Sequence, residues 1–155
     1  MLRITIISVG KLKEDYWKEA EKEYLKRLSY FTKLEIKELK EEKFDDKTNV
    51  EMIKEKEAEK IIGAISKDSY VIVLDKEGKQ FSSENMTEEI KTMEQSNNVT
   101  IIIGGPLGLH DSILKIAKKS WSFSKMTFPH QMIRVFLLEQ LYRGFMIKEN
   151  RSYHY

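Results

Sequence analysis

Val99-Thr100-Ile101-Ile102-Ile103-Gly104-Gly105-Pro106-Leu107-Gly108-Leu109 is the stretch whose reading decides the fold. Its first five residues are almost continuously apolar, as expected of a strand covered on both faces, and the paired glycines end it sharply. Working back from it, Ser82 and Ser83 are expected to cap a helix carrying Met86, Ile90 and Met93. Tyr70-Val71-Ile72-Val73-Leu74-Asp75 is a strand before that helix. Thr48 and Glu51 have capping-box spacing and open a charged helix whose apolar side holds Met52, Ile53, Ile61, Ile62 and Ile65. Residues 34–39 form another strand. At the front, Ile4-Thr5-Ile6-Ile7-Ser8-Val9-Gly10 is a strand leading into a turn, and residues 13–28 repeat Trp17, Ala20, Tyr24, Leu25 and Leu28 at helical spacing.

Toward the C-terminus, Asp111 is expected to cap a short helix through Lys119, and Trp121-Ser122-Phe123-Ser124 reads as a fifth strand. A long amphipathic helix follows from Pro129 to about Ile147. Strand followed by helix, five times over, predicts an α/β protein with a mainly parallel sheet and helices on both faces. No repeat, low-complexity tract or linker divides residues 1–155, so one domain is expected.

Composition excludes several kinds of chemistry. The chain has no cysteine, which removes disulfides, thiolate metal sites and cysteine nucleophiles. His110, His130 and His154 lack the close spacing of a helical metal pair, so no metal site is expected. The longest apolar runs are far below the roughly 20 residues of a membrane span, and no signal-peptide pattern opens the chain; a cytoplasmic protein is expected. A net charge of +2 does not by itself identify a partner.

In an open α/β sheet, ligands gather beyond the carboxyl ends of the strands, which selects the segments after Leu74, Ile103 and Trp121. The loop of residues 104–109 has three glycines and lets backbone approach a ligand closely, although a tight strand-to-helix turn would use glycines equally well. It matches neither the dinucleotide fingerprint nor the phosphate loop, and no nucleophile elbow is present, which argues against a hydrolase or a nucleotide-binding regulator. Leu74, Met126 and Phe128 are placed to hold an adenine between apolar groups while backbone reads its edge; ordinary core packing is the competing explanation.

Gly104-Gly105 with Gly108-Leu109, Ser122-Phe123-Ser124-Lys125-Met126-Thr127-Phe128-Pro129-His130, Arg134-Val135 and Glu139-Gln140-Leu141-Tyr142-Arg143 together resemble the large-subunit ribosomal RNA pseudouridine-N3 methyltransferase family of the SPOUT superfamily. The resemblance runs from Val9-Gly10-Lys11 to Tyr153-His154. It implies a C-terminal trefoil knot, an exception to the rule that chains do not knot. It also implies a homodimer whose cofactor pockets are completed by the partner subunit, in keeping with a last helix that is apolar on more than one side. By the same resemblance, Leu74, Gly104, Phe123, Ser124, Lys125, Met126, Thr127 and Phe128 bind S-adenosylmethionine. The substrate is then a pseudouridine in a loop of large-subunit (23S) ribosomal RNA, met on the assembled ribosome.

The candidate catalytic residues are His130, Arg134, Tyr153 and His154. His130 is the natural proton acceptor, against a capping or core role. Arg134 and Arg143 are suited to phosphates, against an ion pair with Glu139 or a neighbouring subunit. Lys11, Lys13, Lys18 and Lys22 offer further RNA contacts, against a solvated lysine face. The tail of residues 150–155 approaches the active site in the resembling family; by composition alone it is a frayed end. The alternative to catalysis is an RNA-binding or ribosome-assembly factor with the same fold.

Overall fold

A computed structural model describes residues 1–154. Five strands and five helices alternate: β1 (Arg3–Val9), α1 (Asp15–Leu28), β2 (Lys33–Leu39), α2 (Val50–Ala64), β3 (Tyr70–Lys79), α3 (Met86–Ser96), β4 (Asn98–Ile103), α4 (Asp111–Ile116), β5 (Lys119–Trp121) and α5 (His130–Lys148). The sheet order is β2-β1-β4-β3-β5, and every neighbouring pair is parallel. The expected α/β architecture is therefore the observed one.

Alternate strand residues divide the core. Ile4, Ile6, Ile72, Ile101 and Ile103 point to one face and pack with Leu28 of α1, Met86, Ile90 and Met93 of α3, and Leu137, Leu138, Leu141 and Phe145 of α5. Ile7, Val9, Val71, Val73 and Ile102 point to the other and meet Ala58 and Ile61 of α2 and Ile113 of α4. Both faces are covered, which is why the inner strands β1, β3 and β4 carry long apolar runs, whereas the edge strand β2 alternates. On the first face, a Cβ on Gly144 would stand 2.6 Å from Met86 Cγ, so a glycine there permits α5 to lie close on α3.

Element boundaries differ from the sequence expectation where polar side chains chose other partners. Asn49 caps α2 by accepting from the Met52 amide, whereas Thr48 closes a turn with Asp45. Asn85 is the residue before α3 and makes no side-chain cap; Ser82 accepts from the Asn85 amide, and Ser83 donates to Gln140. The cap of α4 is His110, whose ring accepts from the Ser112 amide, and that helix ends at Ile116 rather than Lys119. β5 is Lys119–Trp121, earlier than expected, because Ser122 and Ser124 spend their hydroxyls on a turn. β3 runs on to Lys79 through an irregularity in which both Leu74 and Lys79 align with Trp121.

Candidate functional site

β4 lies between β1 and β3, whose following helices α1 and α3 cover one face, while its own helix α4 goes to the other. Chain leaving neighbouring strands in opposite directions opens a crevice at their carboxyl ends. A cavity of about 640 Å³ occupies that position, beyond β4, β3 and β5. Its size is that of ordinary small-molecule sites.

Three segments build its walls. After β4, the chain turns on a Gly108 amide to Gly105 carbonyl bond, with Gly108 at φ +85. A Cβ on Gly104 would stand 2.8 Å from Leu109 Cδ2, so a side chain there would push the loop into the cavity or out of its turn. After β5, the Ser122 amide donates to the Lys79 carbonyl, the Ser122 hydroxyl donates to the Ser124 carbonyl, and the Ser124 hydroxyl accepts from the Met126 amide. These bonds fold residues 122–126 into a compact turn over the pocket. From β3, Leu74, Asp75 and Lys76 contribute, and Lys76 donates to the Thr127 hydroxyl at 3.2 Å.

Trp121 forms part of the wall and is itself 1% exposed. Its indole N–H donates to Glu89 Oε2 at 3.0 Å, and Lys119 donates to Glu89 Oε1 at 3.0 Å. One buried carboxylate on α3 thus fixes β5 just before the cavity turn.

His130 closes the inner end at the start of α5. Burial pulls its pKa below the usual 6.5, against the opposing field of the Glu41 carboxylate, so the ring is neutral at pH 7. Nε2 is buried without a hydrogen-bond partner, 3.0 Å from where a Cβ on Gly10 would be. Gly10 adopts φ +100 in that turn. The next residues of α5 grip the same turn: Gln131 accepts from the Lys13 amide at 2.8 Å, and Glu38, which accepts from the Leu12 amide, is held by Arg134 at 2.8 Å.

Of the candidates read from sequence, Leu74, Gly104, Phe123, Ser124, Met126, Thr127, Phe128 and His130 share the cavity lining. Lys125 is exposed and outside it. Arg134 is fully buried outside the lining, between Glu38 and Glu21. Tyr153 and His154 are also elsewhere in this chain: Tyr153 donates to Glu139, and His154 bonds Arg143 and Glu84. Burial raises the Tyr153 hydroxyl well above its ordinary pKa, keeping it a donor. Arg143 pairs with Glu139 at 2.6 Å. Trp121 and Ile133 line the cavity without having been marked from sequence, since both look like core; only their places beside the Ser122–Phe128 motif and His130 pointed there.

A family model described as a predicted SPOUT methyltransferase matches residues 2–154. The chain belongs to that family. Among curated relatives, "Ribosomal RNA large subunit methyltransferase H" of Clostridium acetobutylicum is 49% identical over an alignment of 158 positions, covering 99% of each chain. Proteins of that name from Clostridium botulinum strains Eklund 17B and Alaska E43 are 48% and 49% identical with the same coverage. Among the described residues no helix is long and apolar enough to cross a membrane, and no cluster of three or more His, Asp or Glu is placed to hold a metal.

Proposed function

We propose that this SPOUT protein methylates N3 of a pseudouridine in a loop of large-subunit (23S) ribosomal RNA, with S-adenosylmethionine as donor. The observation that carries the reading is one continuous cavity joining an apolar turn at Phe123, Met126 and Phe128 to a neutral imidazole at His130. The names of relatives at 48–49% identity supply the RNA.

The residues fit the donor. An adenosyl group needs apolar walls and exposed backbone edges, and Leu74, Phe123, Met126 and Phe128 offer the first while the turns of residues 104–108 and 122–126 offer the second. Bound there, S-adenosylmethionine supplies an electrophilic sulfonium methyl. The protein's part is to align the acceptor and exclude water. His130, neutral, offers its unpartnered Nε2 as the acceptor for the departing ring proton. Because Gly10 covers Nε2, that role requires the turn of residues 10–13 to shift when RNA binds; a purely positioning role does not.

The rest of the account rests on the same reading. The chain acts as a homodimer with a C-terminal trefoil knot, and Tyr153 and His154 reach the partner's pocket rather than their own. Arg134 acts through the turn it clamps, and Lys125, Lys11 and Lys13 lie exposed at positions suited to RNA phosphates. The protein works in the cytoplasm on the assembled ribosome, whose surface supplies recognition that a net charge of +2 does not. Incubation with ribosomes and S-adenosylmethionine, followed by nucleoside analysis, is expected to yield N3-methylpseudouridine from large-subunit RNA, with far less from an isolated hairpin; a methylated base other than pseudouridine would reject the substrate assignment.

A further inference from the structure

Glu57, on α2, is a carboxylate with no evident structural purpose. It is 5% exposed, yet among the described residues its one hydrogen bond is a long one, 3.4 Å from the Glu42 amide. It takes part in no ion pair there; Lys60, the cation one turn along, is committed to Glu42 at 2.6 Å. Burial raises its pKa, and the Glu41 and Glu42 carboxylates add to that. A carboxylate this buried and this weakly bonded is under-compensated by the protein, and a cation beside it would stabilise its charged form.

Such a cation has a direction of approach. A Cβ on Gly105 would stand 3.2 Å from Glu57 Oε1 and 3.4 Å from Oε2, and Gly105 lines the cavity. Gly105, with no side chain of its own, therefore stands between the carboxylate and the pocket, beside Val9 Cγ1. The apolar end lies by β3 and β5, whereas Gly105 follows β4, one strand spacing from β3 and two from β5, about 5 to 10 Å further in. An adenosyl group seated at Phe123 and Met126 would extend its amino-acid arm toward Gly105.

We propose that Glu57 is a cofactor-positioning residue that holds the α-ammonium of S-adenosylmethionine across the bare backbone of Gly105. The assignment rests on the S-adenosylmethionine reading above. It adds that Glu57 selects for the amino-acid arm of the ligand, while the adenosine end is held independently of it.

Calorimetric affinities of the wild-type protein and Glu57→Gln for three ligands test it, with the thermal midpoint of each unliganded protein as a control on folding. Glu57→Gln is expected to weaken S-adenosylmethionine and S-adenosylhomocysteine by roughly tenfold each, since both carry the ammonium, and to leave methylthioadenosine within about twofold, since it has no amino-acid arm. Glu57→Met, which keeps the length of the side chain and removes the charge, should give the same pattern should Glu57→Gln fold poorly. Equal loss for all three ligands, or no loss, overturns the proposal. Loss for S-adenosylmethionine alone moves the contact to the sulfonium and overturns the ammonium assignment. Failure of the wild-type protein to bind S-adenosylmethionine would instead reject the underlying reading.

Discussion

Replacing Arg134 by methionine separates a residue that touches substrate from one that shapes the site. Arg134 is fully buried, 2.8 Å from Glu38 and 3.4 Å from Glu21, whose side chains are 44% and 18% exposed. Methionine keeps the length of the side chain and removes the cation, leaving two carboxylates facing each other beneath α1. Breaking a buried pair typically costs 3–5 kcal/mol, and the partial exposure of Glu38 brings the expectation to the lower end, about 3 kcal/mol at pH 7. At roughly 2–4 °C per kcal/mol for a chain of this size, the thermal midpoint should fall by about 6–12 °C. Burial already raises Glu21 above 4.5 and Arg134 holds it down, so removing the arginine lifts it further. A carboxyl whose folded pKa exceeds its unfolded one weakens the fold as pH rises, so the deficit should shrink toward pH 4.5, where both states take up the proton. Urea unfolding at pH 5 and pH 7 measures this. In the triple variant with Glu21→Gln and Glu38→Gln, much of the loss should return. A variant of unchanged stability that fails only in RNA binding would refute the reasoning and put Arg134 on a phosphate.

Two further outcomes follow from the site. If His130 accepts the proton, kcat should hold constant down to pH 6.5 and fall only below it, because burial depresses the imidazole pKa; His130→Gln should remove that acidic limb, and an unchanged profile would leave His130 a positioning role. Deleting residues 153–155 should reduce methylation at least tenfold while S-adenosylmethionine affinity, measured by calorimetry, changes little; equal loss of both would contradict a role for the tail in RNA rather than cofactor binding.

The sheet was legible because its inner strands need apolar residues on both faces, and Val99 to Ile103 with Ile4 to Val9 could satisfy nothing else. Helix starts were legible only to within one to three residues, since Thr48 and Asn49, His110 and Asp111, or Ser82, Ser83 and Asn85 are equally able caps, and tertiary contacts decide which oxygen or nitrogen is free. The cavity walls were visible as glycine-rich and hydroxyl-rich segments placed after strands. Glu57 was not visible: within Lys54-Glu55-Lys56-Glu57-Ala58-Glu59-Lys60 it looks like any residue of a solvated face, and its burial beside Glu42 and the Gly105 position comes from tertiary packing of α2. Arg134 was visible as a cation but not as a buried one, because Glu38 and Glu21 lie 96 and 113 residues away along the chain.

The most direct test of the central claim is transfer of labelled methyl from S-adenosylmethionine to intact ribosomes by the wild-type protein and by Gly104→Trp, whose indole would fill the cavity beside Leu109. The account predicts label at N3 of a pseudouridine in large-subunit RNA with the wild type and none with the variant. A wild-type protein that binds S-adenosylmethionine yet transfers no label would contradict it and favour a non-catalytic ribosome-assembly factor.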